Sequence, residues 1–467
     1  MKCHCISFLF LIFSFQAQAL VKANEIQALL KKNGIKMSDV GVYISVNKGE
    51  DEVVLFENQS QKLMMPASLT KIATASAILS QFMPGTKFQT QLLSEAKITG
   101  RTLKGNLYFQ GGGDPGFVSE DMWFLVNHFI RNQIDTIEGD IVVDDSLFDQ
   151  VRYDTTREST RVDRAYDAPV GGLSFNWNSV NVFVRPGRAG EKAQVFLDPE
   201  NSYTSLENKV KTSGGGKGEV YADRKELKSG DLITVSGKIS QDENEITIFK
   251  NITQPDLWAG HNLVSFLNQR GVQVKGQVIR GSTPSGALVL AKVESKPIEK
   301  MIADMNKFSN NFVAEMLTKQ LSLQISHPGT IANGMAQIKK HLLEIGLLES
   351  EFKLINPSGL TRDNQITSKG LWKVLNHLKK DFRVYPEFLS SLPIAGIDGT
   401  LKRRMKGESA ERWVRAKTGY INNVAALGGY AGLKNGQVCT FVMIYNGTED
   451  EGKVRSTFDK ILNRLVE

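Results

Sequence analysis

At 467 residues the chain is too long for one ordinary hydrophobic core, so two or three domains are expected. A hydrophobic content of 41% with 23% charged residues excludes disordered and fibrous classes. The formal charge of +7 comes without a long Lys/Arg cluster or interleaved aromatics. That pattern excludes a nucleic-acid partner and is compatible with anionic cell-wall polymers.

In chain order, Lys2 opens a short basic region, "ISFLFLIFSF" (6–15) is apolar but too short to span a bilayer, and "AQA" (17–19) has the small residues of a cleavage site. Residues 1–19 therefore read as a signal peptide cut after Ala19, with Ala23 as second choice, and no Cys is placed for lipidation. Removing Lys2 and no acid lowers the charge from +7 to +6. No later stretch approaches ~18 consecutive apolar residues, so the expectation is an exported chain, in the periplasm, with no integral membrane anchor. Cys3 and Cys5 leave with the signal; Cys439, in "QVCTFVMIYN", reads as a buried small hydrophobe.

The mature chain opens with a predicted helix (24–32) and a hairpin of 40–47 and 52–57 turning at Lys48–Asp51. Next comes "MMPASLTKIATASAIL" (64–79), a helix that is apolar after its first turn. Residues 88–118 are strand-rich and end in "GGGDPGF". The formal GxGxxG of Gly111, Gly113 and Gly116 is broken by Pro115 and Phe117, so it reads as a tight turn beside a site, not a dinucleotide loop. Segments 122–146 and 261–282 look like two copies of one helix–strand unit. Between them, 183–253 has the texture of a small all-β module. After Val293 the chain is helical, then closes with two strands and a helix near 453–466. Early and late elements together suggest one domain built from both chain ends.

Ser68 and Lys71 share a helical face at i and i+3, so Oγ and Nζ can meet. A serine hydroxyl needs a base, and a lysine can serve if burial or a second cation keeps it neutral. The helix start after Pro66 adds backbone N–H groups for an oxyanion. Ser-x-x-Lys alone is weak: it also occurs at Ser45/Lys48, Ser94/Lys97 and Ser350/Lys353. Ser309-x-Asn311 can be a helix cap, or a proton relay with an amide that holds Lys71. Lys417-Thr418-Gly419 starts a late strand. There Lys417 supplies positive potential, Gly419 lets a substrate backbone lie against the strand, and the Tyr420 N–H can complete an oxyanion hole. No G-x-S-x-G, H-E-x-x-H or C-x-x-C motif competes, and His261 and His341 read as structural or surface groups.

The three motifs come in the order of the penicillin-interacting serine enzymes. With 241 residues between Ser68 and Ser309, the chain resembles the class C low-molecular-mass penicillin-binding proteins, the D-alanyl-D-alanine carboxypeptidase/endopeptidase family. "GGGDPGF", "IEGDIVVDDSLFD", "GGLSFNWNSVNV", "PSGLTRDNQIT" and "IAGIDGTLKRRM" carry the resemblance across the mature chain. It implies a multi-domain α/β (α+β) protein. A β-lactamase/transpeptidase-like domain, an antiparallel sheet flanked by helices, spans 20–90 and 293–467. An inserted α/β domain spans 91–182 and 254–292, with a nested, mostly β domain at 183–253.

It further implies peptidoglycan stem peptides as substrates, β-lactams as covalent inhibitors, and no metal or cofactor. Ser68 would be the nucleophile and Lys71 its base. Ser309, Asn311 and Lys417 would relay and orient, and Thr418 would contact the substrate carboxylate. Two departures stand out: Tyr420 replaces a frequent Ser or Thr, and Asn356-Pro357 replaces a frequent Asp-Gly before Ser358-Gly359. A β-lactamase-like hydrolase and a non-catalytic wall-binding or antibiotic-sensing protein are the rival readings.

Overall fold

The computed structural model describes residues 22–48, 51–157 and 167–467. The expected signal peptide, with Cys3, Cys5 and His4, and the centre of the Lys48–Asp51 turn lie outside the described residues.

Both chain ends build one antiparallel sheet. Its strands run in the order Asp51–Asn58, Val40–Lys48, Val438–Asn446, Val424–Gly432 and Val414–Ile421. The run "QVCTFVMIYN" is apolar without alternation because its strand is covered on both faces. Phe441, Met443 and Tyr445 pack under the helix over 22–32 and the helix Glu451–Val466. Val442 and Ile444 face the helix Thr70–Gln81 and its neighbours. Cys439 lies wholly buried in the first of these layers, and burial pushes its thiol up to about 12.

The insertion leaves and re-enters through adjacent antiparallel strands, Gln89–Ser94 and Leu288–Glu294. The two look-alike segments lie side by side and in parallel, with Thr136 opposite Gln273 and Ile141 opposite Val278. A third copy joins them in the same register, Thr102 opposite Thr136 and Leu107 opposite Ile141. Sequence reading missed it because "TLKGNLYFQ" has no helix in front. The shared glycine has a physical reason: a Cβ on Gly139 would sit 2.3 Å from the Gly105 carbonyl carbon, and one on Gly276 2.3 Å from the Gly139 oxygen. Asn106 and Asp140 each accept from the next copy, at Asp140 N and Gln277 N, both at 2.8 Å.

Three expected boundaries fall inside strands: 90/91 in Gln89–Ser94, 292/293 in Leu288–Glu294, and 182/183 in Ser179–Arg185. Ser179–Arg185 pairs with Gln194–Asp198 and Ile246–Asn251, wholly within the β module. We place the joints at the ends of these strands. The β module also shares one core with the α/β layer: Val180, Ile233 and Val235 pack with Leu92, Phe109 and Trp258.

"GGGDPGF" is a backbone crossing. A Cβ on Gly112 would meet the Gln89 oxygen at 2.1 Å, and one on Gly113, at φ +67°, would meet Gln320 at 2.3 Å. Gln320 donates to the Gly112 carbonyl at 2.6 Å from the far end of the helix Asn311–Ser322, roughly 13 Å along from Asn311. The turn thus ties the insertion to that helix instead of bordering the serine site. His341 is a satisfied structural group: it is buried, its Nε2 lies 2.8 Å from Ser76 Oγ, and burial lowers it to about 4. His261 Nδ1 lies 2.7 Å from Ser202 Oγ.

Candidate active site

Ser68 does not open a regular helix. It sits in a single 3₁₀ turn, Ala67–Leu69, and the α-helix begins at Thr70. Ala67 has φ +48°, so the backbone reverses hand immediately before the serine and turns it partly to solvent. The 3₁₀ turn runs directly into the helix, and its i and i+3 side chains eclipse, so Lys71 still meets Ser68. Thr70 Oγ1 ties the turn by donating to the Ala67 carbonyl at 2.9 Å.

Lys71 is fully buried. Its Nζ donates to Ser68 Oγ at 3.1 Å, to Asn311 Oδ1 at 2.8 Å and to the Ser358 carbonyl at 2.5 Å. All three partners are neutral. Asn311 Oδ1 and the Ser358 carbonyl can only accept, so once neutral Lys71 spends its two N–H groups on them and turns its lone pair to the Ser68 hydroxyl. Burial pushes Lys71 well below the usual lysine range, and the Lys417 cation pushes the same way. Glu315 opposes them. That carboxylate is fully buried one turn after Asn311, and Arg157 donates to it through Nε at 2.9 Å.

Ser309 is not the cap of its helix. Asn310 takes that place, its Oδ1 accepting from Val313 N at 3.2 Å, while Ser309 is held at φ +55°. Ser309 Oγ accepts from Lys417 Nζ at 2.9 Å, and Lys417 also donates to the Thr418 carbonyl at 2.8 Å. Lys417 is wholly buried, which lowers it to about 7. Ser68, Lys71, Ser309, Asn311 and Lys417 are therefore linked in two hydrogen-bonded sets, Ser68–Lys71–Asn311 and Ser309–Lys417.

The strand Val414–Ile421 is the edge of its sheet. Ala416 N points outward, donating to the Pro393 carbonyl at 3.0 Å. Strand alternation puts the Thr418 and Tyr420 amides on the same outer edge. Gly419 has a reason beyond the one its position suggested: a Cβ there would lie 2.5 Å from the Pro66 oxygen. The protein's own serine turn already demands the glycine. The Tyr420 side chain is 55% exposed, and Arg455 lies over its ring at 5.3 Å.

Sequence reasoning missed several groups here. Asn356 Oδ1 accepts from Ser358 N, Ser358 Oγ and Gly359 N at 2.9, 2.8 and 2.7 Å, so it shapes the loop that offers the Ser358 carbonyl to Lys71. Its Nδ2 donates to Asp154 at 2.7 Å. An amide suits this place because it faces donors on one side and a carboxylate on the other. Gly359, at φ +81°, passes so close that a Cβ would sit 2.0 Å from the Ala67 oxygen. Asn364 Nδ2 donates to the Asn356 carbonyl at 2.7 Å and to Thr70 Oγ1 at 3.2 Å. Thr418 Oγ1 donates to Thr400 Oγ1 at 2.8 Å. The segments "PSGLTRDNQIT" and "IAGIDGTLKRRM" were the available signal, since they hold Ser358, Gly359, Asn364 and Thr400.

The arrangement can activate a serine through a neutral amine, with a second lysine close enough to act on the first electrostatically. Among the described residues, no group of three or more His, Cys, Asp or Glu is placed to hold a metal ion, and no helix is long and apolar enough to cross a membrane.

The chain is 29% identical to a D-alanyl-D-alanine carboxypeptidase of Actinomadura sp., over 95% of this chain and 84% of that protein. It is 26% identical to one of Haemophilus influenzae, over 88% and 86%. Its fold matches penicillin binding protein 4 of Haemophilus influenzae with TM-score 0.79 and 22% identity, covering 95% of this chain and 99% of that one. That protein has also been solved in complex with a β-lactam. The family profile of the D-Ala-D-Ala carboxypeptidase 3 (S13) peptidases matches residues 22–465, and the chain belongs to that family.

Proposed function

We propose that the chain is an exported, periplasmic serine DD-peptidase. It takes peptidoglycan stem peptides, cleaving the terminal D-Ala-D-Ala bond, the D-Ala–diaminopimelyl cross-link, or both. β-Lactams acylate the same serine. The observation that carries this reading is the fully buried Lys71 amine, held at once by Ser68, Asn311 and the Ser358 carbonyl with no carboxylate among its partners.

Neutral Lys71 takes the Ser68 proton as Oγ attacks the penultimate D-Ala carbonyl. The outward amide of Tyr420 and the amide of Ser68 receive the oxyanion. The tetrahedral adduct collapses by breaking the C–N bond, and the leaving amine takes the proton that Lys71 accepted, passed on through Ser309, which Lys417 orients, so that Lys71 is neutral again. Asn311 holds Lys71 and the substrate amide. Water then hydrolyses the ester and restores Ser68. Lys417 supplies positive potential for the substrate carboxylate, and Thr418 supplies a hydroxyl. Thr400, bonded to Thr418, provides the second hydroxyl that Tyr420 does not.

Incubation of wild type and Ser68→Ala with intact peptidoglycan tests the reading. Wild type is expected to release D-Ala, lose cross-linked dimers, or do both, and Ser68→Ala to do neither. Equal product from both proteins overturns it. Mass spectrometry with penicillin separates a long-lived adduct on Ser68 from the rapid turnover of a β-lactamase.

A further inference from the structure

Beside the serine site lies a cleft of ≈ 920 Å³ between the insertion and the helical layer. Ser309 and Asn310 line it, so it meets the site at the start of the helix that carries Asn311. Its size is that of a ligand site. Its aromatic walls are open to solvent: Trp177 is 45% exposed, Phe249 56% and Phe308 68%. Each comes from a different element, so the grouping arises only in the fold.

The Trp177 platform is built. Asn176, Trp177 and Asn178 stand consecutively at φ +48°, +51° and +50°, a conformation that costs L-residues roughly 1–2 kcal/mol each. Hydrogen bonds from below hold it. Asn178 Nδ2 donates to the Pro169 carbonyl at 2.8 Å and to Ser174 Oγ at 2.9 Å, while its Oδ1 accepts from Phe175 N at 3.1 Å. Asn176 Oδ1 accepts from Ser119 N at 3.0 Å. Asn178 is spent inward, Asn176 braces against Ser119 at the cleft wall, and the indole between them is presented outward. A core has no use for that arrangement, and the peptidase reaction does not call on it.

The lining also selects by charge. Glu120, Asp121 and Asp198 face it, with Lys296 as the cation. Stem peptides carry free carboxylates, which such a lining repels. The glycan strand to which stem peptides are joined is uncharged where each lactyl group is amidated. Its sugar rings offer C–H faces to aromatic rings, and its hydroxyl and N-acetyl groups offer donors to carboxylates.

We propose that this cleft is a subsite for the glycan strand of peptidoglycan, with Trp177 and Phe249 as stacking platforms, so that the stem peptide reaches Ser68 while its sugars lie against the insertion. The proposal rests on the DD-peptidase reading. It lets the inserted domains select polymeric or sugar-bearing substrate over free peptide.

Calorimetric titration with peptide-free glycan oligosaccharides, using Ser68→Ala protein to remove chemistry, tests it apart from the catalytic reading. Binding is expected. Trp177→Gly, in a backbone conformation that glycine adopts freely, and Phe249→Ala should each weaken it about tenfold. Trp177→Phe should keep most of it. Trp413→Ala, an exposed tryptophan of the C-terminal sheet, should leave it unchanged. Absence of glycan binding, or unchanged affinity in both Trp177→Gly and Phe249→Ala, overturns the proposal. Failure of the peptidoglycan incubation with glycan binding intact would instead remove the DD-peptidase reading.

Discussion

The two ends of the helix Asn311–Ser322 handle a buried lysine in opposite ways. At its start, Lys71 and Lys417 have no exposed surface and donate only to neutral oxygens. Near its end, Lys319 is as deeply buried but is paired with Asp149 and donates to the Val151 carbonyl at 2.8 Å. Burial also lowers Lys319, but Asp149 pulls back. A buried lysine is therefore not by itself a base. It becomes one where the acceptors around it solvate an amine without rewarding its charge. Where a carboxylate completes the set, the same burial makes a structural ion pair. In the proposed mechanism the first pair of lysines bears on the reaction, while Lys319 ties the helix to the insertion.

The contrast breaks most sharply at Lys71. Lys71→Ala should slow acylation of Ser68 by penicillin about 10³-fold, the size of a lost general base, with the fold retained. Adduct formation followed by mass spectrometry, beside far-UV circular dichroism, reads both. Acylation at the wild-type rate would end the assignment.

Lys319→Met should do the reverse. Leaving Asp149 without its cation is expected to cost about 3 kcal/mol of stability, read from urea unfolding. Acylation per folded molecule should change less than about twofold. A mutant of wild-type stability would show that the Asp149 pair contributes nothing net.

Lys417 gives the most diagnostic effect, through pH. In the folded protein it releases its proton near pH 7, whereas in the unfolded chain it holds it to about 10.4. Between those values the unfolded state binds more protons, so stability rises with pH across that window. Lys417→Met should remove up to ~1.4 kcal/mol per pH unit of that rise. Urea midpoints at several pH values in this range, mutant against wild type, measure it. Identical slopes would mean that Lys417 stays protonated in the fold.

Much of the site was readable because its side chains are tied to short motifs. Ser68 and Lys71 were readable from their i, i+3 spacing, which the 3₁₀ turn running into the helix preserves, and Lys417 announces itself by a glycine two positions later. A second reason for Gly419 was not readable, because the Pro66 carbonyl that a Cβ would meet lies about 350 positions earlier. Ser309 was readable as a cap. Its neighbour Asn310 does the capping, a choice that depends on a left-handed residue invisible in sequence. The Ser358 carbonyl had no signature, since a backbone oxygen is the same in every residue. The third strand unit was hidden because no amphipathic helix precedes it, and strands of two and four residues are too short to announce themselves alone.

Local order thus sufficed for the motifs and for the expectation of one domain built from both chain ends, since these depend on periodicity and composition. Proton affinity does not. It depends on the dielectric around a group and on charges brought near it. Lys71 meets Asn311 from 240 residues away and the Ser358 carbonyl from 287. Only the folded chain assembles that environment, and only there does the lysine beside Ser68 become distinct from the three other Ser-x-x-Lys lysines of the sequence.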